Sequence, residues 1–215
     1  RIAAGLARLT AARTAGPLRL SMLPTFAVHW LSPRLATYPF ETAGSALLIS
    51  ATQEAVDLAA GDADVAIRHG RGEWPGLEAE PLFAETVSLL AAPGFATGEA
   101  EVRARVAGAN LFLSQHRRAD FDAWNASLPG GPLRPAAVTT VDSAGLGLRA
   151  TIDGAGVTLA GMEIAAADIA AGRLAAPFDH RLETGGAYWL VCPPGLARDR
   201  RVKRLRAWLA EQVGR

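Results

Sequence analysis

Residues 64–77, DVAIRHGRGEWPGL, place Arg68 and His69 directly after a short apolar strand and then three glycines within seven positions. The glycine spacing does not match the G-x-G-x-x-G pattern of a dinucleotide-binding loop, and a Trp-Pro pair stands where an apolar helix would have to begin. We therefore predict a tight glycine turn, with Arg68 and His69 held out into a cleft by the end of the strand. There Arg68 binds either a ligand carboxylate or a neighbouring acid such as Asp64.

Short apolar runs alternate with helical patterns on both sides of this stretch, which is typical of a parallel α/β fold. Pro33 predicts a kink or stop of the first helical run near Ser32. No low-complexity linker interrupts the chain, so we expect two lobes that share strands, with TVSLLAA leaving the first lobe and AYWLVC returning to it. The predicted strands are LRLSM, ALLISA, DVAIR, TVSLLAAP, ANLFLS, AAVTTVD, AGVTLAG, RLAAPF and GAYWLVCPP, and the predicted helices are TFAVHWLSPRLATY, EAVDLAAG, ADFDAWNASL, SAGLGLRATIDG, MEIAAADIAAG and DRRVKRLRAWLAEQV.

The composition describes a globular chain without a strong overall charge. Its 215 residues are 50% hydrophobic, which allows a sizeable core, and 22 Lys and Arg against 21 Asp and Glu give a net charge of +1. No chain-wide field attracts a polyanion, and the basic run RDRRVKRLR is predicted to be the solvated face of a packed helix. The single Cys192 excludes an internal disulfide framework, and no apolar run reaches the roughly 18 residues of a membrane span. We therefore expect a cytoplasmic protein.

Two strand-to-helix turns offer hydroxyl groups at the start of a helix. In SMLPTF, Thr25 is a candidate N-cap of the first helix, and in TTVDSAGLG either Asp142 or Ser143 begins a helix that runs to Ile152. A helix N-terminus has unpaired N–H groups and a partial positive charge, which suit a carboxylate or phosphate ligand. If both turns face one cleft, the two N-termini and Arg68 together favour an anionic or zwitterionic ligand.

Enzymatic and metal sites find little support in the sequence. A G-x-S-x-G nucleophile elbow around Ser143 would need glycine at position 141, where the chain has Val141. No spacing ties a histidine to Ser143, and the four histidines lack the i,i+4 pairing typical of zinc sites. We expect no catalytic residue, no metal and no cofactor.

Five segments in this order resemble the effector-binding domain of LysR-type transcriptional regulators, particularly the branch that contains the glycine-cleavage and β-lactamase activators. They are TFAVHWLSPRL, VDLAAGDADVAIRHGRGEWPGL, VDSAGLGLRATIDGAGVTLA, AAGRLAAPF and YWLVCP, and the resemblance covers residues 17–213. It implies the type II periplasmic-binding-protein fold, in which two α/β lobes are joined by two crossover strands around an effector cleft. It also implies homodimers of this domain and homotetramers of the full-length regulator.

The resemblance further implies domain boundaries and a set of effector-binding residues. Residues 1–16 would be the end of a linker helix, residues 17–90 with 191–215 would form lobe I, and residues 91–190 would form lobe II. An N-terminal winged helix-turn-helix that binds DNA is expected to precede them and to be absent from this chain. The cleft would be lined by Met22, Pro24, Thr25, Phe26, Arg68, His69, Ser114, Gln115, Asp142, Ser143 and Tyr188.

The expected function is effector sensing. A small anionic or zwitterionic molecule would bind between the lobes and modulate DNA binding by the absent helix-turn-helix domain. The alternative is a solute-binding protein of a transporter, which shares the two-lobed fold and would need an export signal or a lipid anchor. A hydrolase is a third option that lacks a coherent catalytic set. The apolar stripe of Ile2, Leu6 and Leu9 favours the regulator, because it is typical of an oligomerising linker helix.

Overall fold

The computed structural model describes residues 16–96 and 98–214, and the predicted linker helix therefore lies outside the described residues except for Gly16. The strands are β1 (Leu18–Met22), β2 (Leu47–Ala51), β3 (Val65–Gly70), β4 (Glu78–Leu90), β5 (Asn110–Ser114), β6 (Ala137–Val141), β7 (Val157–Gly161) and β8 (Leu182–Cys192). The α-helices are α1 (Glu99–Ala107), α2 (Arg118–Ala126), α3 (Ala144–Ile152), α4 (Met162–Ala170) and α5 (Arg200–Val213). A π-helix (Phe26–Leu31) and three 3₁₀ segments (Ser32–Thr37, Gln115–Arg117 and Pro194–Leu196) complete these elements, and the predicted α/β class is confirmed.

The chain divides into two compact units. Among the described residues, unit 1 contains 16–23, 34–83 and 187–214, and unit 2 contains Pro24–Pro33 and Ala84–Gly186. Strand β4 begins in unit 1 and continues into unit 2, and β8 runs back from unit 2 to unit 1. These are the two predicted crossover strands, of which β4 starts well before the predicted TVSLLAAP. The predicted lobe boundaries at 90 and 191 stay a prediction.

The sheet of unit 1 has the strand order β2-β1-β3-β8. Strand β1 pairs in parallel with β2 and β3, and β3 pairs antiparallel with β8. Strand β1 is mostly buried and β3 buries its first three residues, whereas β2 is an edge strand whose residues are largely exposed. Because parallel strands end at the same edge of a sheet, this topology brings the carboxyl ends of β1, β2 and β3 together.

The sheet of unit 2 has the strand order β4-β7-β5-β6. Strand β5 is parallel to β6 and β7, and β7 is antiparallel to β4. All five residues of β7 are buried, as expected for a central strand covered on both faces. The fully buried Trp124 of α2 and Leu159 of β7 belong to one hydrophobic cluster, which forms the core of this unit.

The prediction of a helix over EAVDLAAG, residues 54–61, is wrong, because this stretch forms turns. The carboxylate of Asp57 accepts hydrogen bonds from the backbone N–H groups of Ala59 and Ala60, both at 2.9 Å, and Asp62 accepts one from the N–H of Asp57 at 3.0 Å. Gly61 then adopts a left-handed conformation with φ of 87°. These local side-chain bonds compete with helical hydrogen bonds, so the carboxylates and the glycine override the apolar pattern.

The first helical run changes type where proline predicts it. The π-helix ends at Leu31, and the chain continues from Ser32 as a 3₁₀ segment that contains Pro33. Proline lacks the N–H that a continued helix would need, so the predicted stop near Ser32 is confirmed.

Three other segments differ from the sequence-based expectation. Helix α1 was not predicted, because it buries only Val102 and Val106 and so has little apolar periodicity. The predicted strand RLAAPF contributes a single bridge, between Ala175 and Ala91. In α5 the basic residues are not all solvated, since Arg201 is buried and paired with Asp199.

Candidate functional site

A small cavity lies at the carboxyl ends of the parallel strands of unit 1. It has a volume of about 180 Å³, and the predicted effector residues Met22, Arg68 and His69 line it together. The remaining lining residues are Ser21, Leu23, Thr52, Gln53, Glu54, Ala55, Val56, Ala66, Ile67 and Trp74. The structure thus joins a guanidinium, a carboxylate, an imidazole and an amide around one small space.

Arg68 is positioned by the loop that follows β2. Its guanidinium donates a short hydrogen bond to the backbone carbonyl of Val56. The neighbouring acid Asp64 is ion-paired with Arg19, whose guanidinium lies 2.8 Å and whose backbone N–H lies 2.9 Å from the carboxylate. Arg68 is therefore anchored at the cavity by a backbone carbonyl.

His69 is held by an aromatic neighbour on the returning strand. In the β3–β8 ladder His69 is directly opposite Tyr188, and the two ring centroids are 5.0 Å apart. The ring of Phe83 also packs against Tyr188, and their centroids are 5.1 Å apart. Tyr188 is buried, so it supports the imidazole as a packing partner.

The glycines after Arg68 make the predicted tight turn. Gly72 has a φ of 90°, and a Cβ on it would lie 2.7 Å from the ring of Trp189. The indole N–H of Trp189 donates a 3.0 Å hydrogen bond to the carbonyl of Gly70. Trp74 packs edge-on against Trp189 with ring centroids 6.1 Å apart, so two tryptophans fix the turn that follows Arg68 in the sequence.

Unit 2 brings Thr25 and Ser143 together at the start of α3. Ser143 is the N-cap, and its hydroxyl accepts a 3.3 Å bond from the N–H of Gly145. The hydroxyl of Thr25 accepts from the same N–H at 2.9 Å and lies 3.2 Å from the hydroxyl of Ser143. The prediction that Thr25 caps its own helix is wrong, because its side chain makes no capping bond to the π-helix and caps α3 instead. The predicted helix that begins at Asp142 or Ser143 and runs to Ile152 is confirmed, with Ser143 as its cap.

The other predicted residues of unit 2 lie in different surroundings. Phe26 is 0% exposed and stacks on Trp30 with a centroid distance of 4.8 Å, so it belongs to the core. Ser114 and Gln115 follow β5, where Ser114 accepts a 3.4 Å bond from the N–H of His116 and the Gln115 amide lies 3.3 Å from the His116 ring. Asp142 is exposed just before α3, and Pro24 lines a second cavity together with Ser143.

This second cavity contains a buried polar pair that the sequence patterns did not predict. Nδ1 of His29 lies 2.8 Å from Oδ2 of Asp168, and each side chain is only 8% exposed. The N–H at Nε of Arg173 donates to the other carboxylate oxygen of Asp168 at 2.8 Å. The available signal was the single acid in the apolar run AAADIAA, because a carboxylate on a packed helix needs a partner.

The arrangement in unit 2 is suited to binding rather than to hydrolysis. The hydroxyl of Ser143 is bonded to Thr25 and Gly145, while His29 is bonded to Asp168. Within the described residues, no group of three or more His, Cys, Asp or Glu side chains could hold a metal ion. Nor does any helix in the described part of the chain combine the length and apolar character needed to cross a membrane.

Comparison with known proteins assigns the chain to a family of regulators. The model of the LysR substrate binding domain matches residues 11–214. The chain is 34% identical to the glycine cleavage system transcriptional activator of Escherichia coli (strain K12), over 94% of this chain and 67% of that protein. It is 32% identical to the HTH-type transcriptional activator AmpR of Pseudomonas aeruginosa, over 99% of this chain and 71% of that protein.

A solved structure supports the same assignment. The effector domain of AmpR from Pseudomonas aeruginosa superposes with a TM-score of 0.73 at 28% identity, covering 93% of this chain and 96% of that one. This match confirms the type II periplasmic-binding-protein-like fold, and it favours a regulator over the transporter alternative. LysR-type regulators are not enzymes; they bind small-molecule effectors, and they bind DNA as full-length proteins. The chain belongs to the LysR family and is the effector-binding domain of a LysR-type transcriptional regulator.

Proposed function

We propose that this domain senses a small zwitterionic or anionic molecule in the cavity of unit 1 and thereby changes DNA binding by the full-length regulator. The observation that carries the proposal is the placement of Arg68 and Glu54 around one cavity with His69 and Gln53. A guanidinium binds a carboxylate through two parallel hydrogen bonds, and a carboxylate such as that of Glu54 accepts from an ammonium group. Together these groups suit an amino acid better than a simple anion.

The size of the cavity narrows the class of ligand. Its volume of about 180 Å³ is below the range of roughly 300–1,000 Å³ that is usual for drug-sized ligands. A molecule the size of a small amino acid therefore fits the cavity better than a peptide. Such a ligand would shift the regulator only to the extent that it prefers one conformation of the domain over another.

The residues of the predicted effector set differ in their surroundings. Met22, Arg68 and His69 line the cavity, and Tyr188 packs against His69. Thr25 and Ser143 form the hydroxyl pair of unit 2, with Pro24, Ser114, Gln115 and Asp142 as further members of the set. Phe26 acts through packing, because it is fully buried against Trp30.

Calorimetry and thermal-shift measurements with amino acids, organic acids and cell-wall peptides test the ligand class. Small amino acids should raise the Tm, and their esters and the corresponding amines should not. Arg68→Ala should weaken binding at least about tenfold, because it removes a charged hydrogen-bonding pair. Arg71→Ala is the matched control, because Arg71 is exposed three residues further on and does not line the cavity. Binding of neutral or cationic compounds alone would overturn the proposal.

We also propose that the domain forms homodimers and that the full-length regulator forms homotetramers. The edge strands β2 and β6 both present mostly exposed residues. Among these, Leu48 is 55%, Val138 47% and Ile49 36% exposed, and exposed aliphatic edge strands tend to be covered by another chain. Sedimentation should give a dimer, and a strict monomer at high concentration would contradict the proposal.

We further propose how this domain is divided and what precedes it in the full-length regulator. Lobe I would comprise 17–90 with 191–215 and lobe II 91–190, preceded by a linker helix over 1–16. An N-terminal winged helix-turn-helix would contact DNA, and a cytoplasmic location follows from that target. The protein sequence upstream of Arg1 tests this, since a helix-turn-helix supports the proposal and a signal peptide overturns it.

A further inference from the structure

We propose that unit 1 carries a further small-molecule site beside the first turns of α5, and that it binds a compact organic phosphate. The site is a cavity of about 510 Å³, within the range of roughly 300–1,000 Å³ that is usual for ligand sites. It is lined by the first turns of α5 with Asp199, by the turn at Ala43 and Gly44, and by Gly16. It shares no lining residue with either of the cavities described above.

The lining of this arginine cavity is positively charged. Arg200, Arg201 and Arg204, from the basic run RDRRVKRLR, contribute three guanidinium groups against the single carboxylate of Asp199. That carboxylate is paired with Arg201, which donates to it from its backbone N–H and from its guanidinium, each at 2.8 Å. Two positive charges, those of Arg200 and Arg204, therefore remain in the lining, and the cavity suits a dianion rather than a cation.

Arg204 is held in place by the segment that precedes β2. Its Nη1 donates to the carbonyl of Ala43 at 2.8 Å and to the hydroxyl of Ser45 at 2.9 Å. Ser45 is only 1% exposed, so this hydroxyl is a fixed point of the domain. Both acceptors are neutral and both use Nη1. The edge formed by Nε and Nη2, which can make two parallel hydrogen bonds with an anion, is left for a ligand.

Gly44 leaves space beside this guanidinium. Its φ of 77° lies in the left-handed region, which other residues adopt only with strain. A Cβ at this position would lie 3.7 Å from Nη1 of Arg204 and 3.9 Å from Cγ of Arg201. A side chain here would occupy space next to both arginines, so the glycine keeps that part of the cavity open.

The number and kind of charges select the ligand class. A phosphate group with a second pKa of about 6 is close to a dianion at neutral pH and offers three acceptor oxygens. Two oxygens can meet the free edge of Arg204 while the third meets Arg200, which is exposed and has no ion pair among the described residues. Because Asp199 already caps α5, the phosphate is assigned to these side chains and not to the N–H groups of the helix.

Calorimetry on the intact chain with glycerol 3-phosphate and ribose 5-phosphate, at physiological ionic strength, tests the proposal. Both esters should bind, whereas glycerol and ribose should not. Arg204→Gln should weaken binding of the esters at least about tenfold, because it removes charge-assisted hydrogen bonds. Arg200→Gln should weaken it as well, and this variant should fold because Arg200 is exposed.

Lys203→Gln is the matched control, since it removes the same charge from an exposed position of α5 that does not line the cavity. It should change the affinity by no more than about twofold, because salt screens an exposed charge. Arg68→Ala should leave phosphate binding unchanged, so failure here is distinguishable from failure of the proposed function.

Three results would overturn the proposal. The first is the absence of binding by both esters. The second is an equal loss in Lys203→Gln and Arg204→Gln, which would show diffuse attraction to a basic helix. The third is binding of inorganic phosphate as tightly as the esters, which would show an adventitious ion only.

Discussion

Helices α3 and α5 begin with different chemistry. At the start of α3, in unit 2, the N–H of Gly145 donates to two neutral hydroxyls, those of Thr25 and Ser143. At the start of α5, in unit 1, the carboxylate of Asp199 accepts from the N–H of Arg201 at 2.8 Å and from its guanidinium at 2.8 and 3.2 Å. One helix start is neutral and the other is closed by a buried ion pair.

The two helix starts therefore differ in role: the start of α5 is closed by an internal ion pair, whereas the start of α3 leaves room for a ligand. In α5 the charge of Asp199 is paired with that of Arg201. Hydrogen bonding from Arg201 lowers the pKa of the Asp199 carboxyl, and hydrogen bonding to Asp199 raises the pKa of Arg201. In α3 the first turn contains no acidic residue, and the two side chains that accept from its N–H group are neutral hydroxyls. The contribution of each helix start to the free energy of unfolding, and the dependence of that contribution on pH, should therefore differ.

The largest effect is expected from Asp199→Ala, which should lower the free energy of unfolding by about 3 kcal/mol. The reason is that Arg201, whose side chain is only 6% exposed, would keep its charge without its acidic partner. Urea unfolding at neutral pH measures the loss. Ser143→Ala is the comparison at the other helix start, and an equal loss in the two variants would contradict the distinction.

A double-mutant cycle on Thr25 and Ser143 is expected to give a smaller and non-additive effect. Thr25→Val and Ser143→Ala should each cost roughly 0.5–1 kcal/mol, because the second hydroxyl continues to accept from Gly145. The double variant should cost more than the sum, since the N–H then loses both acceptors. Additive losses in chemical denaturation would show that the two hydroxyls act independently.

Acid should weaken the start of α5 but not that of α3. Because the folded-state pKa of Asp199 is lowered, its stabilisation is fully present above the ordinary carboxyl pKa of about 3.9 and is lost as the pH falls below it toward the folded-state value. Asp199→Asn should therefore show a flatter decline of the unfolding free energy in this acid window than the wild type. Thr25→Val should keep the slope of the wild type, and identical slopes for all three proteins would contradict the assignment.

The smallest effect is expected from Gly145→Ala, within about 0.5 kcal/mol of the wild type. A Cβ there lies 3.3 Å from the hydroxyl of Thr25 and 3.4 Å from that of Ser143, and this crowding offsets the better helix propensity of alanine. Gly147→Ala should cost about 1 kcal/mol or more, because its Cβ would lie 2.8 Å from the hydroxyl of Thr158. Thermal unfolding of both variants checks the order, and the reverse order would show that the start of α3 is the tighter site.

Local patterns predicted the start of α3 but not its second cap. The residues Val-Asp-Ser before an apolar helical run predict a helix that begins at Asp142 or Ser143, and in the structure Ser143 is the cap. Thr25 is also a good local cap residue, yet its hydroxyl bonds a backbone group 120 positions further along the chain. Such a partner depends on tertiary packing, which short-range spacing does not encode.

Two further elements show where sequence patterns mislead. Residues 54–61 have apolar residues at helical spacing, but Asp57 and Asp62 bond their own backbone and Gly61 ends the turn. The cavity residues Arg68 and His69 were predictable, because a strand end followed by a glycine turn is a local feature. The pair of His29 and Asp168 was not, since 139 positions separate the two residues.

The packing of Pro24–Pro33 limits how this domain can be divided. The segment lies between β1 and β2 in the sequence, yet it belongs to unit 2, where Thr25 caps α3 and His29 binds Asp168. A fragment of residues 84–186 would lose both contacts and leave the carboxylate of Asp168 to Arg173 alone. The two units are therefore not exchangeable modules: a chimaera with a relative would have to transfer the segment together with α3 and α4.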